Sequence, residues 1–526
     1  MKHRRTSSLA LLVWFLLFWL QAPAAWGQAM VTTYHNDNAR TGQNVAETVL
    51  NPSNVNHVQF GKLFSHSVDG YVYAQPLYLP NVSIPGRGTH NVVFVSTEHD
   101  SVYAFDADNN SGGNANPLWK VSFINPLAGI TTVPNNDAAC YDIVPEIGIT
   151  GTPVIDASSG TLYVVVKTKE IGSYVQRVHA LSVSTGAEKF GGPVTIQASA
   201  SGSGLGGNGT TIAFDPLLGN QRPGLLLHGG VVYVGWAGHC DSGPYHGWLI
   251  AYDAGNLSQL AVFNTTPNGI RGGFWAAGAA PGADSFGNIF AATGNGTFDG
   301  ARDFGDSMLK LKLASGLQLE DSFTPFNQGA LNVQDLDLGS GGVLLLPDQP
   351  GAHPHLLVQA AKEGKVYLID RDNMGGFNFG GDSQIVQSIP YSVGGMWSMA
   401  AYWNNALYFL GSNDVLRAFV LNDGLLSTTP FGVGNKAFGF PGATPSISAD
   451  GNTNGIVWVL QTDQFSVKGR AILRAYNATN LVELYNSDQN SRRDSPGPAV
   501  KFTVPTVVNG KVYVGTENGL SVYGLR

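Results

Sequence analysis

Apolar and polar positions alternate along most of this chain in short β-branched and aromatic runs, cut by Gly, Asn or Asp. The phrase Val92-Val93-Phe94-Val95-Ser96-Thr97 is followed, after a tight turn, by Val102-Tyr103-Ala104-Phe105-Asp106. It returns at 162–166 with 178–181, and later copies start at Val231, Ile289, Val366, Leu407, Ile456 and Val512. Runs with a period of two are half-buried strands. Self-similarity at roughly 50–60 residues is the mark of a β-propeller, whose blades are small antiparallel sheets. The eight copies predict an all-β chain of eight four-stranded blades. The last copy, 512–522, lacks an outermost strand, whereas 62–68 alternates like a strand ahead of the first copy. The expectation is a ring closed by this N-terminal strand, which removes two exposed sheet edges.

Pro76, Pro153, Pro445 and Pro505 each open an innermost strand, where the missing N–H is tolerated. The Gly/Asn-rich stretch 199–209 reads as a flexible surface loop. The stretch 450–455 has half of a calcium-loop pattern, but Gln461 stands where a bidentate Glu belongs and strands flank it, so it reads as a hairpin turn.

With 43% hydrophobic and 13% charged residues the chain is a packed globule and not a disordered one. A net charge of −8 without a basic face excludes nucleic acid as a partner. Residues 1–27 read as a signal peptide: Lys2, Arg4 and Arg5, then an apolar run at 9–20 too short to span a bilayer, then Ala25-Trp26-Gly27. The mature chain, 28–526, is then one exported propeller domain, periplasmic or extracellular, with no integral membrane span. Arg4-Arg5 leaves both the general secretory and the twin-arginine routes open. Cys140 and Cys240 are expected to form a disulfide, the alternative being two unpaired loop thiols. CxxCH is absent, so no covalently attached c-type haem is expected.

Two stretches carry the candidate chemistry. One is Gly272-Gly273-Phe274-Trp275 followed by 289–295, which ends in Thr293-Gly294-Asn295. The other is Asp335-Leu336-Asp337-Leu338 followed by 356–371, which contains Lys362-Glu363-Gly364-Lys365. With the repeat, these resemble the eight-bladed alcohol dehydrogenases that depend on pyrroloquinoline quinone (PQQ). The resemblance implies that Trp275 stacks on the quinone, that Asn295 and Asp337 bind calcium, and that Asp337 is the catalytic base. It places Lys362 at the quinone oxygens. A flat cofactor needs a flat support, calcium takes oxygen ligands, and a cation beside the quinone would stabilise charge growing there.

The pattern also departs from that family. Cys140-Tyr141-Asp142 replaces its vicinal cysteines, Glu146 stands where an Arg follows, and Asp241 is the substitute for a calcium-binding Glu. Two functions follow: an exported PQQ- and calcium-dependent oxidoreductase acting on a small alcohol or sugar, or a non-catalytic propeller that binds a protein or glycan. In the second case Trp275 is blade packing, Asn295 a turn residue, and Asp337 with Lys362 a structural ion pair.

Overall fold

The repeated phrases fold as antiparallel sheets arranged in an eight-bladed ring. The computed structural model describes Met1 and residues 29–526, so the expected signal peptide lies outside the described residues. Blade 1 runs Leu77–Ile84, Gly88–Thr97, Ser101–Asp106 and Trp119–Ser122. Blades 2 to 7 repeat this plan. In blade 5 the copy at Val366–Asp370 is the third strand and Leu356–Ala360 the second, one strand later than in the other blades. Blade 8 supplies three strands, ending in Gly519–Leu525, and its fourth is Phe60–Ser67. The pairing runs from Phe60 with Leu525 to Ser67 with Gly519, so the N-terminal strand closes the ring as its alternation implies.

The tyrosine of the repeated phrase ties neighbouring blades. Tyr163 donates to the Ala254 carbonyl (2.6 Å) and Tyr408 to the Ala478 carbonyl (3.0 Å), each in the next blade. Tyr513 donates to the Ala107 carbonyl (3.1 Å), joining the last blade to the first. A buried phenol needs such an acceptor. The stretch 199–209 is more ordered than its composition suggests, because Ser199–Ser201 pairs with Thr211–Ala213 as a hairpin. Asp450 and Thr453 close a hairpin between the first two strands of blade 7.

The centre of the ring is filled by residues 31–44. This segment meets the innermost strand of every blade in turn. Val31 exchanges backbone hydrogen bonds with Tyr78, and Thr32 accepts from Ile155 N–H. Asn38 donates to the Leu227 carbonyl and accepts from Ala283 N–H, and Ala39 accepts from Leu345 N–H. Thr41 accepts from Tyr402 N–H, and Gly42 from Ile447 N–H. Asn44 finishes the circuit by donating to the Val507 carbonyl (3.1 Å). Inner strand edges would otherwise leave unpaired backbone groups in a dry channel. Arg40 is wholly buried at the hub, donating twice to the Pro281 carbonyl and also to Thr33, Tyr34 and Asp37.

Strand antiparallelism fixes where function can sit. Turns between the second and third strands, and links from one blade to the next, must emerge at the same end of the ring. The candidate residues all lie in those turns and links.

Candidate functional site

Trp275 comes from the link between blades 3 and 4, and Asp335 and Asp337 from the link between blades 4 and 5. Asp241, Asn295 and Lys362 come from the inner turns of blades 3, 4 and 5. Asp241, Trp275, Asp337 and Lys362 line one cavity of about 270 Å³, and Asn295 is hydrogen-bonded directly behind its wall. The residues singled out from sequence therefore meet in a single funnel.

Close approach explains the local sequence. A side chain on Gly294 would place its Cβ 2.6 Å from Trp275 Cδ1 and 3.0 Å from the Asp337 carboxyl carbon, so Thr-Gly-Asn needs its glycine. Asp337 Oδ1 accepts from the Asn295 backbone N–H (2.7 Å), and Oδ2 meets Lys362 Nζ at 2.8 Å. The ammonium also reaches Asp335 Oδ1 at 3.1 Å and lies 5.6 Å from the centre of the Trp397 ring. Burial pushes the Asp337 carboxyl above the usual carboxylate range, with Lys362 holding it back. Burial works against the charge on Lys362, but Asp337 and Asp335 outweigh it and raise its pKa. Asp306, buried behind them, is pushed well up by burial and by Asp337, and its Oδ1 accepts from Leu338 N–H (3.1 Å).

The Asn295 amide bears on the metal question. Its NH₂ donates to Asp241 Oδ2 (2.8 Å) and Asp335 Oδ1 (3.2 Å), while its buried Oδ1 has no partner. Asp241 Oδ2 also meets Arg271 at 3.5 Å and Asp335 meets Lys362, so the unanswered acceptor is the amide oxygen. A hard cation there would take Asn295 Oδ1 together with carboxylate oxygens of Asp241 and Asp337. Among the described residues no three His, Cys, Asp or Glu side chains are grouped so that they could hold a metal ion by themselves. Trp275 Nε1 is likewise buried without a partner, and the Trp275 ring meets Tyr245 edge-on at 6.1 Å. The residues present fit a flat, oxygen-rich cofactor beside an oxygen-liganded cation.

Cys140 and Cys240 are joined by a disulfide. Cys140 sits in the link between blades 1 and 2, but Cys240 lies in the inner turn of blade 3 and not between blades. Cys240 lines the cavity, and the bond holds the loop of Asp142 against the loop of Asp241. Asp241 adopts a left-handed backbone (φ 53°) and accepts a hydrogen bond from Tyr245.

Sequence reasoning missed the rest of the wall. Asp335 lay inside a quoted stretch without a role. Arg222, Trp397, Phe440 and Phe502 line the cavity, and Lys501 is paired with Asp142 behind it; all stand in or beside links between blades, which carry no repeat signal. Glu146 does not line the cavity; it accepts from His99 (2.8 Å) and Thr132 (2.6 Å), and Arg222 is the arginine that lines it. His239 and His246 are buried hydrogen-bonding residues: His239 Nε2 lies 2.9 Å from Lys167 Nζ, and His246 pairs with Thr266 and Leu205.

No family model matches the chain, and no curated protein matches it in sequence. Solved structures share the fold. A quinohemoprotein alcohol dehydrogenase from Pseudomonas putida matches with a TM-score of 0.60 at 14% identity, over 94% of this chain and 80% of that one. A europium-containing methanol dehydrogenase matches at 0.61 and 13%, over 94% and 98%. A quinohemoprotein alcohol dehydrogenase from Comamonas testosteroni matches at 0.59 and 13%, over 94% and 80%. The chain is similar in architecture to these quinoprotein alcohol dehydrogenases. Among the described residues no helix is long and apolar enough to cross a membrane.

Proposed function

We propose that this chain is an exported quinoprotein-like oxidoreductase that uses PQQ and calcium to oxidise an alcohol or a sugar. The supporting observation is the meeting of Trp275, Asn295, Asp337 and Lys362 in one funnel with Asp241 at hand. Trp275 would support the quinone ring, Lys362 would face its oxygens, and Asp241, Asn295 and Asp337 would hold the calcium. When bound, the quinone supplies the two-electron acceptor for the hydride. Asp337 takes the substrate hydroxyl proton at its carboxylate. A buried carboxyl raised above its usual range is a better base than an exposed one. Lys362 orients that carboxylate through the 2.8 Å contact, and Trp397, Phe440 and Phe502 supply aromatic surface to a wall otherwise rich in charge.

A second reading has one observation in its favour. Lys362 is already paired with Asp337 and Asp335, and Arg222 with Asp142, so much of the site's charge is satisfied without a ligand. In that case the propeller is a scaffold that binds a protein or glycan at the funnel.

Absorbance titration of the mature protein with PQQ, in calcium and in a lanthanide, separates the two. Saturable binding that is lost in Trp275→Ala and Lys362→Ala, with dye-linked turnover of an alcohol or sugar, is the expected result. No binding at micromolar PQQ would overturn the oxidoreductase reading and leave the scaffold.

A further inference from the structure

A second cavity lies outside the funnel, on the rim of the ring between blades 3 and 4. It holds about 380 Å³, more than the 270 Å³ of the funnel, and no residue of its wall lines the funnel. That size falls in the ~300–1,000 Å³ range of small-molecule sites. Its floor is the outermost strand of blade 3, Gln259–Asn264, which ends its sheet. One wall is the hairpin strand Ser199–Ser201, and another is Leu319 from the fourth strand of blade 4. Arg302, from the inner turn of blade 4, closes the corner by donating to the Ser201 carbonyl (2.6 Å).

The polar groups of this wall are donors in search of an acceptor. Asn264 is only 7% exposed. Its Oδ1 accepts from Thr266 N–H (3.1 Å), which fixes the amide, and its Nδ2 is buried without a partner. A buried donor left unpaired is costly, and native structures seldom keep one that nothing answers. Arg302 spends one of its five N–H groups on Ser201. The hydroxyls of Ser199 and Ser201 stand exposed at the mouth and bond to no other described residue. Between these groups lies apolar surface, chiefly the half-buried Phe263 and Leu319.

Charge and spacing narrow the class of ligand. Arg302 is the one charged side chain in the wall, and Asp299 and Asp303 of the same turn act on it electrostatically. Two carboxylates around one guanidinium disfavour an anion and leave a neutral acceptor. Cα atoms of Ser199–Ser201 come within 8 Å of Gln259–Asn264, short of the ~9.6 Å that two strand spacings need. A peptide strand therefore cannot slot between these two sheet edges. A compact ring with oxygens on its rim and carbon on its face matches both the donors and the aromatic surface. We propose that this cavity binds a neutral pyranose sugar, its ring laid against Phe263 and its oxygens accepting from Asn264 Nδ2 and Arg302. The site holds the sugar away from Asp337, so it is a place of attachment and not of reaction.

Saturation-transfer NMR on the full mature chain, without added quinone, uses methyl glucoside, methyl galactoside and methyl mannoside as probes. Methyl glucuronide and acetyl-trialanine amide serve as comparators. At least one neutral glycoside binds, and the glucuronide binds more weakly. Arg302→Ala weakens that glycoside at least ~10-fold, as loss of a charged hydrogen bond should. Asn264→Asp keeps the acceptor for Thr266 N–H, removes the donor, and weakens it ~5-fold. Lys362→Ala leaves its affinity unchanged. Affinity lost in Lys362→Ala and kept in Arg302→Ala places the sugar in the funnel and overturns the proposal. Binding of no glycoside, of acetyl-trialanine amide ahead of every glycoside, or of the glucuronide as tightly as the glucoside overturns it as well. If Asn264→Asp does not fold, the exposed Arg302→Ala decides alone, and an unchanged affinity there overturns the proposal.

Discussion

Replacing Arg40 with Met tests whether the central segment holds the ring. The substitution keeps the volume and removes the guanidinium. It strands three buried acceptors, the carbonyls of Pro281 and Tyr34 and the Thr33 hydroxyl, whereas the Asp37 carbonyl keeps the backbone N–H of residue 40. At roughly 2 kcal/mol each, unsatisfied acceptors cost about 6 kcal/mol. Part of this is returned, because burial disfavours the charge and lowers the Arg40 pKa from 12.5 to about 10. That shift corresponds to ~3 kcal/mol, leaving a net loss of ~3 kcal/mol, in the range seen when a buried ionic group loses its partners. For about 500 residues the unfolding entropy is about 1 kcal/mol per kelvin, so Tm should fall by ~3 °C. Differential scanning calorimetry reads the shift directly. Arg40→Lys should fall between, since an ammonium replaces some but not all of the fork. A Tm within 1 °C of the parent would refute the argument, showing that blade packing holds the ring without its hub.

The remaining predictions concern the site and its surroundings. Gly294→Ala drives a Cβ into Trp275 and Asp337; overpacking of about 1.4 kcal/mol would weaken PQQ by ~10-fold in the absorbance titration, and unchanged affinity would show that neither side chain contacts the ligand. Burial pushes Glu98 up to about 7 from 4.5, beside Asp100, Glu146 and Lys167. The folded chain thus keeps a proton that the unfolded chain loses above pH 4.5. The stability it gives is full below pH 4.5 and is lost as pH rises through 7, ~3 kcal/mol in all. Glu98→Gln should flatten the fall of Tm over pH 4.5–7, and an unaltered slope would refute the assignment. Replacing Cys140 and Cys240 by Ser opens a crosslink spanning 100 residues; the loop-closure model sets the cost at ~4–5 kcal/mol, and calorimetry showing no loss would mean the loops are held by other contacts.

The blades were legible because each strand repeats the same apolar rhythm, and Phe60–Ser67 carried enough of it to be recognised as the closing strand. Trp275, Asn295, Asp337 and Lys362 were legible because they sit in fixed places beside repeat strands. The central segment was not. Thr32-Thr33-Tyr34-His35-Asn36-Asp37-Asn38 is polar, aperiodic and indistinguishable from a linker. It is buried because the inner strands present unpaired backbone groups that only a polar chain can answer, a fact of tertiary position that no local pattern carries. Arg222 and Lys501 escaped for the related reason that links between blades vary freely and share nothing with one another.

The hub also sets a timetable. Residues 31–67 leave the ribosome before any blade, yet their partners include blade 8, whose last strand ends at Leu525. At roughly 5–20 residues per second, the segment waits about 25–90 seconds for its final neighbour. Through that interval seven blades can form on the waiting segment, while the first and last edges stay open. Each new chain therefore passes through one long, sticky adolescence, and the step that ends it is the same for every blade.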